Sequence, residues 1–269
     1  MLDYWEFLLW PFLASLVLVG IHVYFGLHVI RRGIIFVDLS LAQIAALGMT
    51  FSFLFGYESD SVTSYLFSLG FALMGGLIFT LTRNMERKVP QEAIIGIVYA
   101  VSSAAAILAV SHSPEGAEHI RYLLVGSILT VTPEIVARTA VLYAAVGLFH
   151  WLARARFLAL TFGDKQPAQG NWWDFLFYGS FALVVTSSVK ICGVLLVFIF
   201  LVVPSVFAAV LSERIAVRLT LGWVFGLVGS ALGILFSFWL DTPTGATIVA
   251  TFGALLLLFS LLRKAVKLA

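Results

Sequence analysis

Long apolar runs separated by short polar segments are the main pattern of this chain. Nine runs are near the roughly 20 residues that a helix needs to cross a bilayer. They lie near residues 7–30, 36–56, 63–82, 91–111, 134–153, 172–189, 192–211, 216–240 and 246–262. A further run at 121–132 is too short to span. The pattern predicts an all-α, polytopic membrane helix bundle with about eight or nine transmembrane helices plus a short partial helix.

Composition supports a membrane protein. The 269 residues are 61% hydrophobic and 11% charged, whereas soluble domains are about a quarter charged. The net charge of +2 does not indicate a surface that binds nucleic acid. No linker and no segment of a different composition separates the apolar runs. Residues 1–269 are therefore predicted to form a single transmembrane domain.

The basic residues orient the bundle. If residues 31–35 lie in the cytoplasm and the runs alternate, thirteen of the sixteen Lys and Arg residues fall on the cytoplasmic side. This asymmetry is typical of bacterial inner-membrane proteins. The chain is therefore expected to be a multi-pass inner-membrane protein with its C-terminus in the cytoplasm.

Several motifs of catalytic chemistry do not occur in the sequence. It contains no G-x-x-x-x-G-K-[ST] phosphate loop, no H-E-x-x-H helix and no G-x-S-x-G elbow. Transport is therefore favoured over catalysis, and any ATP hydrolysis is expected in a separate subunit.

Ordered stretches of the chain resemble the permease subunits of zinc, manganese and iron ABC importers. They are "RRGIIFVDLSLAQIAALG" (31–48), "LLVGSILTV" (123–131), "GVLLVFIFLVVPSVFAAVLS" (193–212) and "LDTPTGATIV" (240–249). The resemblance implies a permease domain that pairs with a second copy of itself, with cytoplasmic ABC ATPase subunits and with an extracytoplasmic binding protein. ATP and Mg would act in the ATPase, the cargo would be a metal ion, and this chain itself would hold no cofactor.

The resemblance also implies a docking segment for the ATPase. It corresponds to residues 154–174, the longest polar connection on the cytoplasmic side, with Phe162, Asp164, Lys165 and Gln166 as candidate contacts. This loop departs from the family's acidic-Pro-Glu-x-Ala pattern. An ordinary interfacial loop is the alternative.

In the family, the second span offers an aspartate and, four residues later, a histidine. Those positions fall here on Leu39 and Gln43, and Asp38 is displaced by one residue. Because Asp38 lies at the predicted start of a helix, a capping role is expected for its carboxylate, with Arg31 or Arg32 as ionic partners. A role as a cargo ligand is the alternative.

The candidate substrate path consists of His22, Gln43, Thr50 and Asp38. Gln43 and Thr50 share one helix face, where the Gln43 amide is expected either to join two helices or to face a pore. His22 lies at about the same depth as Gln43, so His22 and Gln43 are the candidate metal ligands. A histidine bonded to a neighbouring helix is the alternative.

Other polar residues receive structural interpretations. His28 and His150 are expected to be boundary residues at the cytoplasmic interface, and Asp241 and Lys190 to cap or snorkel at outer helix ends. Glu115 and His119, in an outer loop, are expected either to collect ions or to lie in solvent.

The predicted function is therefore permeation of a divalent transition metal ion (zinc, manganese or iron) through ATP-driven alternating access. An ABC permease for an organic cargo such as a siderophore or vitamin is one alternative. An ATP-independent secondary transporter is another, although such a carrier needs carboxylates near mid-membrane, and here the acidic residues lie at helix ends.

Overall fold

A computed structural model describes residues 2–58, 61–83, 89–111, 126, 128–163 and 172–268. Within these ranges the chain forms nine helices and no β-strand. The helices are α1 (Leu2–Arg32), α2 (Val37–Leu54), α3 (Val62–Thr82), α4 (Gln91–Val110), α5 (Pro133–Leu152), α6 (Arg154–Phe162), α7 (Trp172–Leu211), α8 (Ile215–Leu240) and α9 (Thr244–Leu268). Eight of these are long and apolar enough to cross a membrane, which confirms the predicted polytopic bundle.

Two short elements depart from the expected pattern. The partial helix predicted at 121–132 is a 3₁₀ turn, Ile128–Thr130, in the part of that segment that the structure describes. Helix α6 was not predicted, because its nine residues carry two arginines and were assigned to a polar connection.

The forty residues of α7 contain a reversal of the chain. Gly193, with φ 76° and ψ 165°, is not helical and divides α7 into α7a (172–192) and α7b (194–211). Ser188 of α7a contacts His22, and Ser205 of α7b donates to the Val23 carbonyl. A straight helix would separate Ser188 and Ser205 by about 25 Å, so the chain folds back at Gly193. The two apolar runs predicted in this region are therefore two antiparallel segments.

Helix α1 lies at the centre of the bundle and packs on α5, α7 and α8, whereas α2 packs on α3, α4 and α7. Glycine permits the closest of these contacts. A Cβ added to Gly26 would lie 2.1 Å from the Leu201 carbonyl oxygen, so the backbones of α1 and α7b touch there. Close backbone approach of this kind is how helices associate in lipid, where no hydrophobic force drives them together.

Local signals set several helix ends. The Ser61 hydroxyl accepts a hydrogen bond from the Ser64 N–H at 3.1 Å and begins α3. Thr132 occupies the same position before α5 and is followed by Pro133, which suits the first helical turn. Asp241 ends α8 in the left-handed conformation, at φ 50°.

One end of the bundle is basic. The ends of α1 and α3 meet the start of α7 there, where Arg32 and Arg83 both contact Asp174. Arg31, at the end of α1, lies beside Arg218 near the start of α8. Following the positive-inside rule, we call this the cytoplasmic end.

Candidate functional site

A buried polar cluster at the cytoplasmic end is centred on a carboxylate. Asp174 Oδ1 accepts from Arg32 Nη1 at 3.3 Å and also from Arg83 Nη1. The Asp174 side chain is fully buried and both arginine side chains are 4% exposed. Removing a charge from water costs several kcal/mol, which an opposite charge in contact offsets. This cluster therefore joins the ends of α1 and α3 to the start of α7.

Thr161 connects the short helix α6 to the same cluster. Its Oγ1 accepts from Arg32 Nε at 3.0 Å and lies 2.7 Å from His28 Nδ1. The threonine hydroxyl can accept from the arginine and donate to the imidazole at once. We refer to Thr161, His28, Arg32, Arg83 and Asp174 as the cytoplasmic node. It ties α6, α1, α3 and α7 together through side chains.

His150 forms a second contact between α6 and the bundle. Its ring stacks on Phe157 of α6 with centroids 4.1 Å apart and planes 14° apart. Its Nε2 lies 2.7 Å from Ser180 Oγ, and its Nδ1 lies 3.0 Å from the Tyr24 hydroxyl. His28 and His150 lie near the cytoplasmic end as predicted, but at 1% and 2% exposed they are buried in the bundle and do not face the interface.

The sequence of α1 contains a pattern from which part of the cytoplasmic node could have been predicted. Tyr24, His28 and Arg32 are spaced at i, i+4 and i+8, which places three polar side chains on one face of a helix. The importance of Asp174 has no such local signal, because its partners are 142 and 91 residues away.

His22 does not face Gln43 as expected. Its Nδ1 lies 2.7 Å from the Leu18 carbonyl oxygen, which only accepts, so Nδ1 carries the hydrogen. Its Nε2 lies 3.2 Å from Ser188 Oγ on α7, and Tyr143 of α5 also contacts Ser188, at 2.5 Å. The imidazole is fully buried, so in this conformation both ring nitrogens are already used inside the protein.

Gln43 lies at the edge of the bundle. It is 7% exposed between the partly exposed Leu39 and Leu47, on the face of α2 that also carries Phe36. Phe36 stacks on Phe198 of α7b at 6.2 Å, so the start of this face lies against α7b. The Gln43 amide makes no hydrogen bond with any residue that the structure describes, and it is not one of the fully buried polar groups that lack a partner.

Thr50 is separated from that crevice. It is completely buried, and its Oγ1 donates to the Ala46 carbonyl of its own helix at 2.9 Å. The shared face predicted for Gln43 and Thr50 exists on the helix, but tertiary packing covers its outer part.

Asp38 does not cap α2. Neither of its carboxylate oxygens has a hydrogen-bond partner among the described residues, and the residue is 1% exposed. Glu92, at the start of α4, instead accepts from the Phe36 backbone N–H at 3.0 Å. Arg32, an expected partner of Asp38, pairs with Asp174. The α2 N-terminus is therefore capped from a neighbouring helix, and Asp38 lies close to a second carboxylate.

A cavity of about 670 Å³ opens near the outer end of α5 and α7a. Its polar lining includes Tyr65, Ser187, Arg138 and Lys190, and Arg138 is paired with Glu134. Across the described parts of the chain, no three His, Cys, Asp or Glu residues are grouped so as to hold a metal ion. Asp164, Lys165 and Gln166 of the predicted docking loop, and the outer-loop residues 112–119, lie outside the described residues.

Residues 4–264 match the model of the ABC 3 transport family. The chain belongs to this family. It is thus a transmembrane permease subunit of an ABC transporter and a multi-pass protein of the bacterial inner membrane.

Named relatives agree with that membership, and a solved structure shares the fold. The chain is similar to the manganese transport system membrane protein MntC of Listeria monocytogenes, with 24% identity over 83% of this chain and 79% of the relative. It is also 25% identical to the chelated iron transport system membrane protein YfeC of Yersinia pestis, over 66% of this chain but only 61% of that relative. Its fold matches a chain of PsaBC from Streptococcus pneumoniae with a TM-score of 0.77 at 20% identity, covering 96% and 93% of the two chains.

Proposed function

We propose that this permease imports a divalent transition metal ion, zinc, manganese or iron, by ATP-driven alternating access. Two copies would enclose the path, two cytoplasmic ABC ATPases would bind ATP and Mg, and an extracytoplasmic protein would deliver the cargo. Family membership and the names of the relatives support this proposal. The family match also disfavours the ATP-independent carrier.

The observation that carries the path is the amide of Gln43. This amide makes no hydrogen bond with a described residue and is not one of the fully buried polar groups that lack a partner, so it can bond to a partner from outside the chain. Gln43 lies between the partly exposed Leu39 and Leu47 on α2, where a second copy or a cargo would reach it. We therefore assign Gln43 to the path, and His22 to the support of the helices that border it.

Replacing Gln43 by alanine is expected to raise the Mn²⁺ concentration that half-stimulates ATP hydrolysis by the reconstituted complex about tenfold, the effect of one lost polar contact. Thr50→Val is the matched control, because the Thr50 hydroxyl is satisfied within its own helix. His22→Ala is expected to lower thermal stability without shifting the Mn²⁺ response. An unchanged Mn²⁺ response in Gln43→Ala would exclude Gln43 from the path.

A chelated metal is the second candidate cargo. The described residues offer no group of three His, Cys, Asp or Glu side chains that could hold a bare metal ion. One relative is named for chelated iron. Uptake of Mn²⁺ alone by proteoliposomes supports the ion, whereas uptake of a ferric chelate and not of Mn²⁺ supports the chelate.

We infer that α6 transmits the ATPase cycle to the membrane helices. On α6, Phe157 and Thr161 are buried against the bundle. The exposed residues face away from it and are Arg154, Ala155, Arg156 and Ala159. Helix α6 lies within the predicted docking segment 154–174 and immediately precedes the predicted contacts beyond Phe162. A movement of α6 would be passed through Thr161 to Arg32, and from there to Asp174 and Arg83.

Thr161→Val is expected to lower the cargo transported per ATP hydrolysed about tenfold while ATP hydrolysis continues. Valine keeps the shape of threonine but removes its hydrogen bonds to Arg32 and His28, and a bond to a charged group is worth about 1.5–3 kcal/mol. Thr161→Ser should restore transport. Thr251→Val is the matched control, because the buried Thr251 hydroxyl bonds only to its own helix. Equal loss of transport and hydrolysis in Thr161→Val would contradict a coupling role.

A further inference from the structure

A groove of about 490 Å³ lies between α7b and α9 near the cytoplasmic end. Its walls are apolar along most of its length and become basic at one end. The lining residues are Val206, Val210, Leu256, Phe259, Arg263 and Lys264. Ser260 also borders it, but the Ser260 hydroxyl donates to the Leu256 carbonyl and is not offered to the groove.

The basic end of this groove has no acidic counterpart nearby. From residue 242 to residue 269 the sequence contains three basic residues and no Asp or Glu. Arg263 and Lys264 form no ion pair with any residue that the structure describes. Glu213, two residues beyond the end of α7b, is paired with Arg218. The groove therefore presents positive charge at the depth where an anionic headgroup lies.

The apolar part of the groove lies along the candidate membrane span Thr244–Lys264 of α9. Leu257 and Leu261, which flank it on α9, are 68% and 67% exposed, as expected of side chains that face acyl chains. A soluble partner cannot reach walls at this depth, and metal ions have no ligand there. The combination of an apolar slot with a basic cytoplasmic end suits a lipid tail and its phosphate.

We propose that this groove binds an anionic phospholipid of the cytoplasmic leaflet. An acyl chain lies against Val206, Val210 and Phe259, and the headgroup phosphate contacts Arg263 and Lys264. The lipid would connect α7b, the second arm of the chain reversal, to α9. This site is independent of the identity of the cargo.

The test uses the full transporter complex in nanodiscs of phosphatidylcholine and measures binding of spin-labelled phosphatidylglycerol. The double variant Arg263→Ala/Lys264→Ala is expected to weaken binding about 20- to 30-fold, since each basic residue near an anionic headgroup contributes about fivefold. Val210→Trp, which fills the groove and keeps the charge, should also abolish binding. Spin-labelled phosphatidylcholine should show no preference for the site, and inorganic phosphate should not displace the labelled lipid.

Arg154→Ala/Arg156→Ala is the matched control. It removes the same charge from the same end of the bundle, but from α6, outside the groove. Binding of phosphatidylglycerol should be unchanged in this variant. Equal loss in both double variants, or no loss in Arg263→Ala/Lys264→Ala and Val210→Trp, would overturn the proposal. So would a groove occupied by a second copy of the chain, detected as a cysteine crosslink between Val210→Cys protomers.

Discussion

An Asp174→Asn permease is expected to be about 3–5 kcal/mol less stable than the wild type, and to be largely lost from the membrane. The carboxylate is completely buried and contacts two arginines whose side chains are 4% exposed. Asparagine has nearly the same shape but no charge, so the buried Arg32 and Arg83 would lose the negative charge of Asp174. Thermal unfolding of the purified variant in detergent, followed by size-exclusion chromatography, measures this loss.

A surface ion pair supplies the control for Asp174. Glu134 pairs with Arg138 on α5, but the two side chains are 69% and 78% exposed. Because an exposed pair contributes about 0–1 kcal/mol, Glu134→Gln should leave the unfolding temperature nearly unchanged. If Asp174→Asn were as stable as Glu134→Gln, the cytoplasmic node would not hold the helix ends together, and the coupling route through Thr161 would lose its basis.

Gly126→Ala is expected to disrupt the outer side of the bundle. Gly126 has φ 62°, a conformation that costs an L residue about 1–2 kcal/mol. A Cβ at this position would also lie 2.2 Å from the carbonyl carbon of Cys192 and from the nitrogen of Gly193, the residue at which α7 reverses. Backbone cannot move aside as a flexible side chain can. We expect a large fall in unfolding temperature and the loss of cargo-stimulated ATP hydrolysis.

Two other glycines distinguish the cost of a left-handed backbone conformation from the cost of a steric clash. Gly56 has φ 83° with open space around it, so Gly56→Ala reports the cost of the backbone conformation alone. Gly20 is helical and also has open space, so Gly20→Ala should be neutral or slightly stabilising. If Gly126→Ala lowered the unfolding temperature no more than Gly56→Ala does, the contact of Gly126 with the α7 reversal would not be tight.

The span boundaries were predictable because they follow from a local property. Helix α4 was predicted at 91–111 and is Gln91–Val110, and α5 was predicted at 134–153 and is Pro133–Leu152. Hydropathy averaged over about 20 residues reports the length that lipid imposes, and neighbouring helices hardly change it. Helix α6 was not predicted because a helix of nine residues is too short to give a peak in hydropathy averaged over about 20 residues.

Capping was predicted wrongly for a physical reason. Asp38 stands in the first turn of α2, where an acidic residue favours a cap, yet the backbone N–H of Phe36 is satisfied by Glu92 from α4. A carboxylate from another helix can reach a free N–H group as well as a local one can. The spacing of residues along the sequence favours Asp38, which is local, and gives no information about Glu92, which reaches the site only through the tertiary structure.

The sequence by itself determined the helical architecture and the family, because apolar length and ordered motifs are both read along the chain. Only the tertiary structure decided which polar groups meet. It paired Asp174 with Arg32 and Arg83, gave both nitrogens of His22 partners within the bundle and left the amide of Gln43 without a hydrogen bond to a described residue. The hydrogen-bond partner of a buried polar group depends on which helix packs beside it, and no periodicity along a single helix contains that information.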